Sequence, residues 1–367
     1  MLKKPAVILV TVMALVAGAC GASSGSGPAA PASTDDPDPV DAVVASTAAP
    51  TPPTTTVPEV VTTSTSTPPS DPCVDGGAAG GAGGVVVSGG LEYPYSVFVP
   101  PGLEGRPVPV VLEFHGLGSD GPGQAGLSGY AALALREGFA VVSPTGPPAA
   151  GDTANSWELV QFDDADRDDV AMVRTLVDQV AQDVCVDRSR VYATGLSNGG
   201  YFSARLACEA ADLVAAVVAV AAISHPDGCV PSRPVPVMAI HGTADAIVPF
   251  DGSGESALLT DDMGPAVRAA FSVFFEQVMP DELAEFATGA GCASVVDEQV
   301  GPDTSLRRYT DCDGGVEMRF YTVRDGGHTW PGSPLAALLA PTLGYATTDI
   351  DATVDGWAFM SGYAIPR

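Results

Sequence analysis

The chain has 367 residues, 44 of them acidic and 16 basic, giving a formal net charge of −28. Such a charge excludes binding to nucleic acid and charge-driven docking on an anionic membrane, both of which need a basic surface. It fits a neutral substrate and a well-solvated surface. The length accommodates one α/β enzyme domain plus a non-globular segment.

The chain opens with Lys3 and Lys4, an apolar run from Ala6 to Val16, and the small residues Ala17, Gly18 and Ala19 before Cys20. This order describes a secretory signal over residues 1–19, too short for a comfortable membrane span. Small residues leading into a cysteine resemble a bacterial lipobox, with Cys20 as the lipidated residue. The position three before the cysteine is Ala17 rather than leucine, and an ordinary cleaved signal is the alternative. Residues 20–72 are rich in Ala, Ser, Thr and Pro, with no aromatic side chain to bury, and read as a disordered tether. The remainder, 73–367, is long enough for one domain with an ample core.

Within that domain, Val108–Phe114 is the first buried strand, and it runs into His115-Gly116-Leu117-Gly118. Phe139–Ser143 is a second strand, stopped by Pro144. Asp168–Val180 sets Val170, Val173, Leu176, Val177 and Val180 on one helical face. Val191–Thr194 is a third strand and leads into Gly195-Leu196-Ser197-Asn198-Gly199-Gly200, after which Gly199–Ala211 is compatible with helix. A G-x-S-x-G between strand and helix places the serine on a sharp turn whose flanking positions leave no room for a Cβ. The next amide, Asn198 N–H, is then aimed where an oxyanion forms. Leu117 N–H, beyond the first strand, is the expected second donor.

Strands at Val214–Ala222 and Val235–Ile240 follow, the latter ending in His241-Gly-Thr-Ala-Asp245. Segment 251–291 breaks the alternation and reads either as an insertion over the catalytic face or as a helix covering the sheet. Val316–Val323 is the last strand, with His328 in the glycine-rich stretch beyond it, and 353–364 is a final candidate helix. A serine hydroxyl needs a base and the base needs an acid. Of four histidines His328 is best placed as base, with Asp245 as its acid and Asp251 as the nearest competitor for that role. The order Ser197, Asp245, His328 is the order of α/β-hydrolases. Apolar strands alternating with helices predict a single α/β domain with a mostly parallel sheet covered by helices on both faces.

Seven cysteines are present; with Cys20 set aside, Cys73, Cys185, Cys208, Cys229, Cys292 and Cys312 form an even set, as in exported disulfide-bonded chains. No cysteine or histidine cluster has metal-ligand spacing, and no cofactor is expected.

Four segments taken together, His115-Gly116, Gly195–Gly200, His241–Asp245 and Gly327-His-Thr-Trp-Pro-Gly332, resemble the polyhydroxybutyrate depolymerase/feruloyl esterase family from about Cys73 to Arg367. The resemblance implies a secreted α/β-hydrolase that cleaves polyhydroxyalkanoate, feruloyl or acetyl esters, with the triad already reached from chemistry. It implies Cys208–Cys229 and Cys292–Cys312 pairs, leaving Cys73–Cys185. It makes Trp330 a substrate-facing aromatic and Trp157 a candidate for the acyl or ring pocket. Tyr201 stands at the pocket edge in place of the commoner methionine or phenylalanine, and His115 is placed with these as support for the neighbouring loop. The expected partner is a small or polymeric ester, with the membrane reached only through an N-terminal lipid anchor. A lipase or peptidase on the same scaffold, or a non-catalytic envelope-binding lipoprotein, are the alternatives.

Overall fold

The computed structural model describes residues 72–75, 80–148, 153–159, 167–259 and 272–366. The expected signal at 1–19, with Cys20 and nearly all of the tether at 20–72, lies outside the described residues.

Among the described residues ten strands form one sheet: β1 (Gly80–Ser88), β2 (Leu91–Val99), β3 (Val108–Phe114), β4 (Ala140–Pro144), β5 (Val186–Leu196), β6 (Ala216–Val220), β7 (Val237–Gly242), β8 (Ser294–Gln299), β9 (Thr304–Thr310) and β10 (Met318–Val323). Their order across the sheet is β1-β2-β4-β3-β5-β6-β7-β10-β9-β8. The six inner strands, β4 to β10 in that order, pair in parallel. The two strands at each edge pair antiparallel. Every residue of β3, β4, β6 and β7 is buried. Burial on both faces is why those strands are continuous apolar runs rather than alternating ones.

Among the described residues, apart from a single turn at Pro72–Asp75, the α-helices are α1 (Gly121–Ser128), α2 (Tyr130–Glu137), α3 (Asp169–Val180), α4 (Asn198–Glu209), α5 (Met279–Gly289), α6 (Ala336–Leu343) and α7 (Ala352–Met360). Three begin at an aspartate whose side chain accepts from backbone N–H groups of the first turn. Asp120 accepts from Gly123, Asp168 from Ala171, and Asp351 from Thr353 and Val354. Such caps supply an acceptor that the first turn lacks, each worth about 1 kcal/mol.

Segment 251–291 divides. Helix α5 packs against β7 and β10 as a sheet-covering helix, whereas Phe274 and Phe275 face the site described below. Residues 260–271 lie outside the described part. The edge strands were not expected from the sequence: β1 is Gly-Gly-Ala-Gly-Gly at its start, and β8 is exposed along nearly its whole length.

Three disulfides tie loops to this frame. Cys73–Cys185 joins the start of the domain to the residue before β5, Cys208–Cys229 joins the end of α4 to the loop after β6, and Cys292–Cys312 closes the β8–β9 hairpin. They are the pairs that the resemblance implied. The loops leaving β3, β5, β7 and β10 all emerge at the carboxyl ends of parallel strands, where open α/β sheets form their sites.

Candidate active site

Strand β5 ends at Leu196 and helix α4 begins at Asn198, so one residue, Ser197, makes the whole turn. Its backbone sits at φ 57° and ψ −120°, a conformation that costs a non-glycine residue roughly 1–3 kcal/mol. The turn closes only because its neighbours are small: a Cβ on Gly199 would overlap the Phe114 carbonyl, and one on Gly195 would meet the backbone of Gly199. The Ser197 N–H is anchored on Val220 O at 2.8 Å.

Asp245 is buried beyond β7. Its Oδ1 accepts from the Ile247 and Val248 N–H groups at 2.8 and 2.9 Å, and its Oδ2 lies 2.8 Å from His328 Nδ1. Burial pushes this carboxyl upward, but the charge and hydrogen bond of His328, His241 and the loop amides outweigh it, and the acid is held below its ordinary range. Asp251, the rival candidate, is exposed and accepts from its own loop at Ser253 N.

His328 is buried. Its backbone N–H donates to Leu343 O at 2.7 Å, which fastens the loop after β10 to α6. With Nδ1 on Asp245, Nε2 is buried and has no hydrogen-bond partner. In this resting arrangement the Ser197 hydroxyl is therefore not bonded to it, a looseness common in sites without substrate.

The Asn198 N–H, first in α4, has no intrahelical acceptor, and the Leu117 N–H has no backbone acceptor among the described residues. Leu117, Ser197 and Asn198 together line a small cavity of about 60 Å³, walled otherwise by Tyr201, Val248 and Phe275 among others. The Tyr201 hydroxyl donates to Phe274 O at 2.7 Å.

Three expected substrate contacts are placed elsewhere by the structure. Trp330 is 1% exposed, its Nε1 donates to Thr353 Oγ1 at 2.9 Å, and its ring meets Tyr130 edge-on. Its partner on α7 turns it into the core rather than toward substrate. Trp157 is 2% exposed, stacks on Phe202 and meets Phe114 edge-on. Its Nε1 donates to His115 O at 3.0 Å. His115 is fully buried, bonded through Nδ1 to Gly116 O and through Nε2 to Gly146 N. Nε2 accepts there, so the ring is neutral, and burial pushes its pKa down to about 4. His115 supports the loop and is not among the residues that line the cavity at Ser197, which fits a supporting role rather than a substrate contact.

The sequence reading missed the bracket behind this loop. The Asn198 side chain forms two hydrogen bonds with the Trp157 backbone, at 2.6 and 3.1 Å. Residues 156–158 are in turn held by Arg167 on Ser156 O and by Asp169 on the Glu158 N–H. Asp169 is fully buried and also takes the Tyr93 hydroxyl and the Arg167 guanidinium. Burial raises the Tyr93 phenol, which keeps it a donor. No sequence signal separates Asp169 from the other acids of an acid-rich chain. Among the described residues no group of three or more His, Cys, Asp or Glu is placed to hold a metal ion.

A six-stranded parallel core, a serine on a strand-to-helix elbow and an Asp–His pair beyond later strands define the α/β-hydrolase fold. The sequence pattern of the family described as esterase PHB depolymerase matches residues 93–253. The chain is 34% identical over 260 residues to the putative esterase NocK of Nocardia uniformis subsp. tsuyamanensis, covering 67% of this chain and 73% of that protein. It is 30% identical over 236 residues to feruloyl esterase B of Piromyces equi, covering 62% of this chain but only 41% of that protein. An acetyl xylan esterase from Aspergillus awamori overlaps 68% of this chain and 94% of its own at 17% identity and a TM-score of 0.45. The chain belongs to the PHB depolymerase family of esterases.

Proposed function

We propose that this esterase is an exported serine carboxylic-ester hydrolase that works through an acyl-enzyme. Ser197 Oγ attacks the ester carbonyl while His328 Nε2 takes its proton. Asp245 fixes the tautomer of His328 and stabilises its charged form. The N–H groups of Asn198 and Leu117 hold the oxyanion, and such donors are worth roughly 10²–10³ in rate each. His328 returns the proton to the departing alcohol, then activates the water that releases the acid. The observation that carries this reading is the 2.8 Å Asp245–His328 bond with the opposite ring nitrogen buried and unpartnered, beyond a strained Ser197.

The small apolar cavity at Ser197 supports short or flat acyl groups: acetyl, feruloyl or short hydroxyalkanoate esters. Feruloyl esterase B and the bifunctional acetylxylan esterase/xylanase XynS20E of Neocallimastix patriciarum, 24% identical over 221 residues, are named for esters of this kind. Three disulfides support an oxidising compartment. With the N-terminal pattern, they support a signal over 1–19, lipidation at Cys20 and a tether to 72 ahead of a catalytic domain at 73–367.

The test is hydrolysis of p-nitrophenyl acetate, butyrate and palmitate and of methyl ferulate by the purified protein and by Ser197→Ala. Cleavage of a short ester or of the ferulate by wild type alone is expected. Equal rates for the two proteins on every substrate overturn the mechanism, and a preference for palmitate replaces the substrate class with that of a lipase.

A further inference from the structure

An ester has two arms, and the cavity at Ser197 holds one. A second cavity lies on the other side of the oxyanion loop: Leu117 lines the first and Gly116 lines the second. Gly116 lies against the nucleophile, since a Cβ placed on it would stand 3.5 Å from both Leu196 O and Ser197 Cβ. The opposite wall is helix α6, through Leu335, Leu339 and Leu343. Leu343 O is also the acceptor for the backbone N–H of His328. The cavity therefore lies between the nucleophile elbow and the strap that carries the base.

Its lining is apolar apart from Ser119, at the turn before α1, and Gln124. Gln124, on the inner face of α1, is 1% exposed and lines the cavity, and its Nε2 is buried without a hydrogen-bond partner. A buried amide donor left without an acceptor is costly, and few persist without a purpose. Leucine or methionine would fill this place at no such cost. The cavity is small, with a volume of about 40 Å³.

Resting on the ester-hydrolase reading above, we infer that this cavity is the subsite for the second arm of the ester. The Gln124 amide there selects a short apolar arm that carries a hydrogen-bond acceptor, an ether, hydroxyl or carbonyl oxygen, a few atoms from the scissile bond. An arm with an oxygen at that depth is desolvated and needs the donor. An all-carbon arm of the same shape leaves the donor unmet. The site thus discriminates by the penalty for an unpaired polar group, on whichever side of the contact it falls.

The test uses two isosteric substrate pairs, one for each arm. p-Nitrophenyl 3-methoxypropanoate is set against p-nitrophenyl pentanoate, and 2-methoxyethyl acetate against butyl acetate. The readout is the kcat/KM ratio, ether over alkyl, within each pair for wild type, Gln124→Met and Gln124→Leu. A ratio within one preparation does not depend on how much of it is folded. In one pair the wild-type ratio is expected to favour or equal the ether member, and both substitutions are expected to lower it about tenfold. Leu339→Phe, which fills the cavity from α6, is expected to slow both members of that pair alike. Ratios that stay the same in wild type and Gln124 variants, for both pairs, overturn the inference. If neither Gln124 variant folds, wild type decides: a tenfold preference for the alkyl member in both pairs overturns it. Failure of the parent reading looks different, because then the wild-type protein cleaves none of the four esters.

Discussion

Glu113 offers a direct measurement of how the buried polar groups of this fold are tuned. It is the last residue but one of β3, fully buried, and the hydroxyls of Ser128 and Ser143 donate to its two oxygens at 2.5 Å each. Burial pushes the carboxyl from its ordinary 4.5 up to about 7, with the two hydroxyls pulling the other way. Between those values the folded protein keeps a proton that the unfolded chain has released. Stability therefore falls as pH rises through this window, and for this group it is flat on either side. At about 1.4 kcal/mol for each pH unit the whole window is worth about 3 kcal/mol. Glu113→Gln keeps the shape but cannot ionise; its amide oxygen still accepts from one serine hydroxyl, and its amide nitrogen donates to the other. It is expected to match wild type near the acid end of the window and to exceed it by about 3 kcal/mol at about pH 8. His115 runs the opposite way, since burial lowers it to about 4 and stability is lost as pH falls from 6.5 toward that value. That contribution is common to both proteins and cancels in the difference. Urea unfolding at several pH values, disulfides intact, gives the difference curve. Parallel wild-type and variant curves, or a variant less stable at high pH, refute the reasoning.

Other substitutions probe the rest of the frame. Arg167→Ala leaves Asp169 buried without its cation and is expected to cost about 3–5 kcal/mol in urea unfolding. Removing Cys208–Cys229 by a double serine substitution frees a crosslink spanning 21 residues and is expected to cost about 3 kcal/mol, with the ester specificity unchanged. Asp245→Asn is expected to lower kcat by up to roughly 10⁴ while KM moves little, because the acid acts on the base rather than on substrate. Asn198→Ala unlocks the Trp157 bracket and is expected to lower kcat about tenfold more than it raises KM; an equal effect on both would make the bracket a matter of binding alone.

What the sequence disclosed follows the physics of burial. The inner strands were legible because two buried faces leave only apolar residues, as in Val108–Phe114 and Val237–Gly242. Helix α3 was legible to within a residue because one face alone enters the core. The glycine-rich start of β1 and the exposed β8 carry no such signature, since an edge strand is defined by its partner's backbone. Ser197, Asp245 and His328 could be singled out because each follows a legible strand. The misplaced aromatics show the limit: a tryptophan two residues from the base has a sequence neighbourhood that suggests substrate, while Thr353 and Tyr130, which decide its direction, lie on other elements.

The loop proposed to hold the oxyanion shows why these supports belong together. Residues 115–117 leave β3 with little regular structure of their own, yet Leu117 N–H must be aimed to within a fraction of an ångström to serve an oxyanion. The loop is fixed from behind by a neutral His115 and by Trp157 Nε1 on its carbonyl. Trp157 is fixed by Asn198, which carries the other candidate donor, and by the Arg167–Asp169 pair beneath its flanks. The two candidate donors are thus braced against each other through one tryptophan rather than each against solvent. A loop held in this way can present different residues to its two sides, Leu117 to one cavity and Gly116 to the other, without losing its aim. Variation in Tyr201, Phe275, Gln124 or Leu339 can then alter which ester is accepted while the donors stay in place, because none of these residues takes part in the brace.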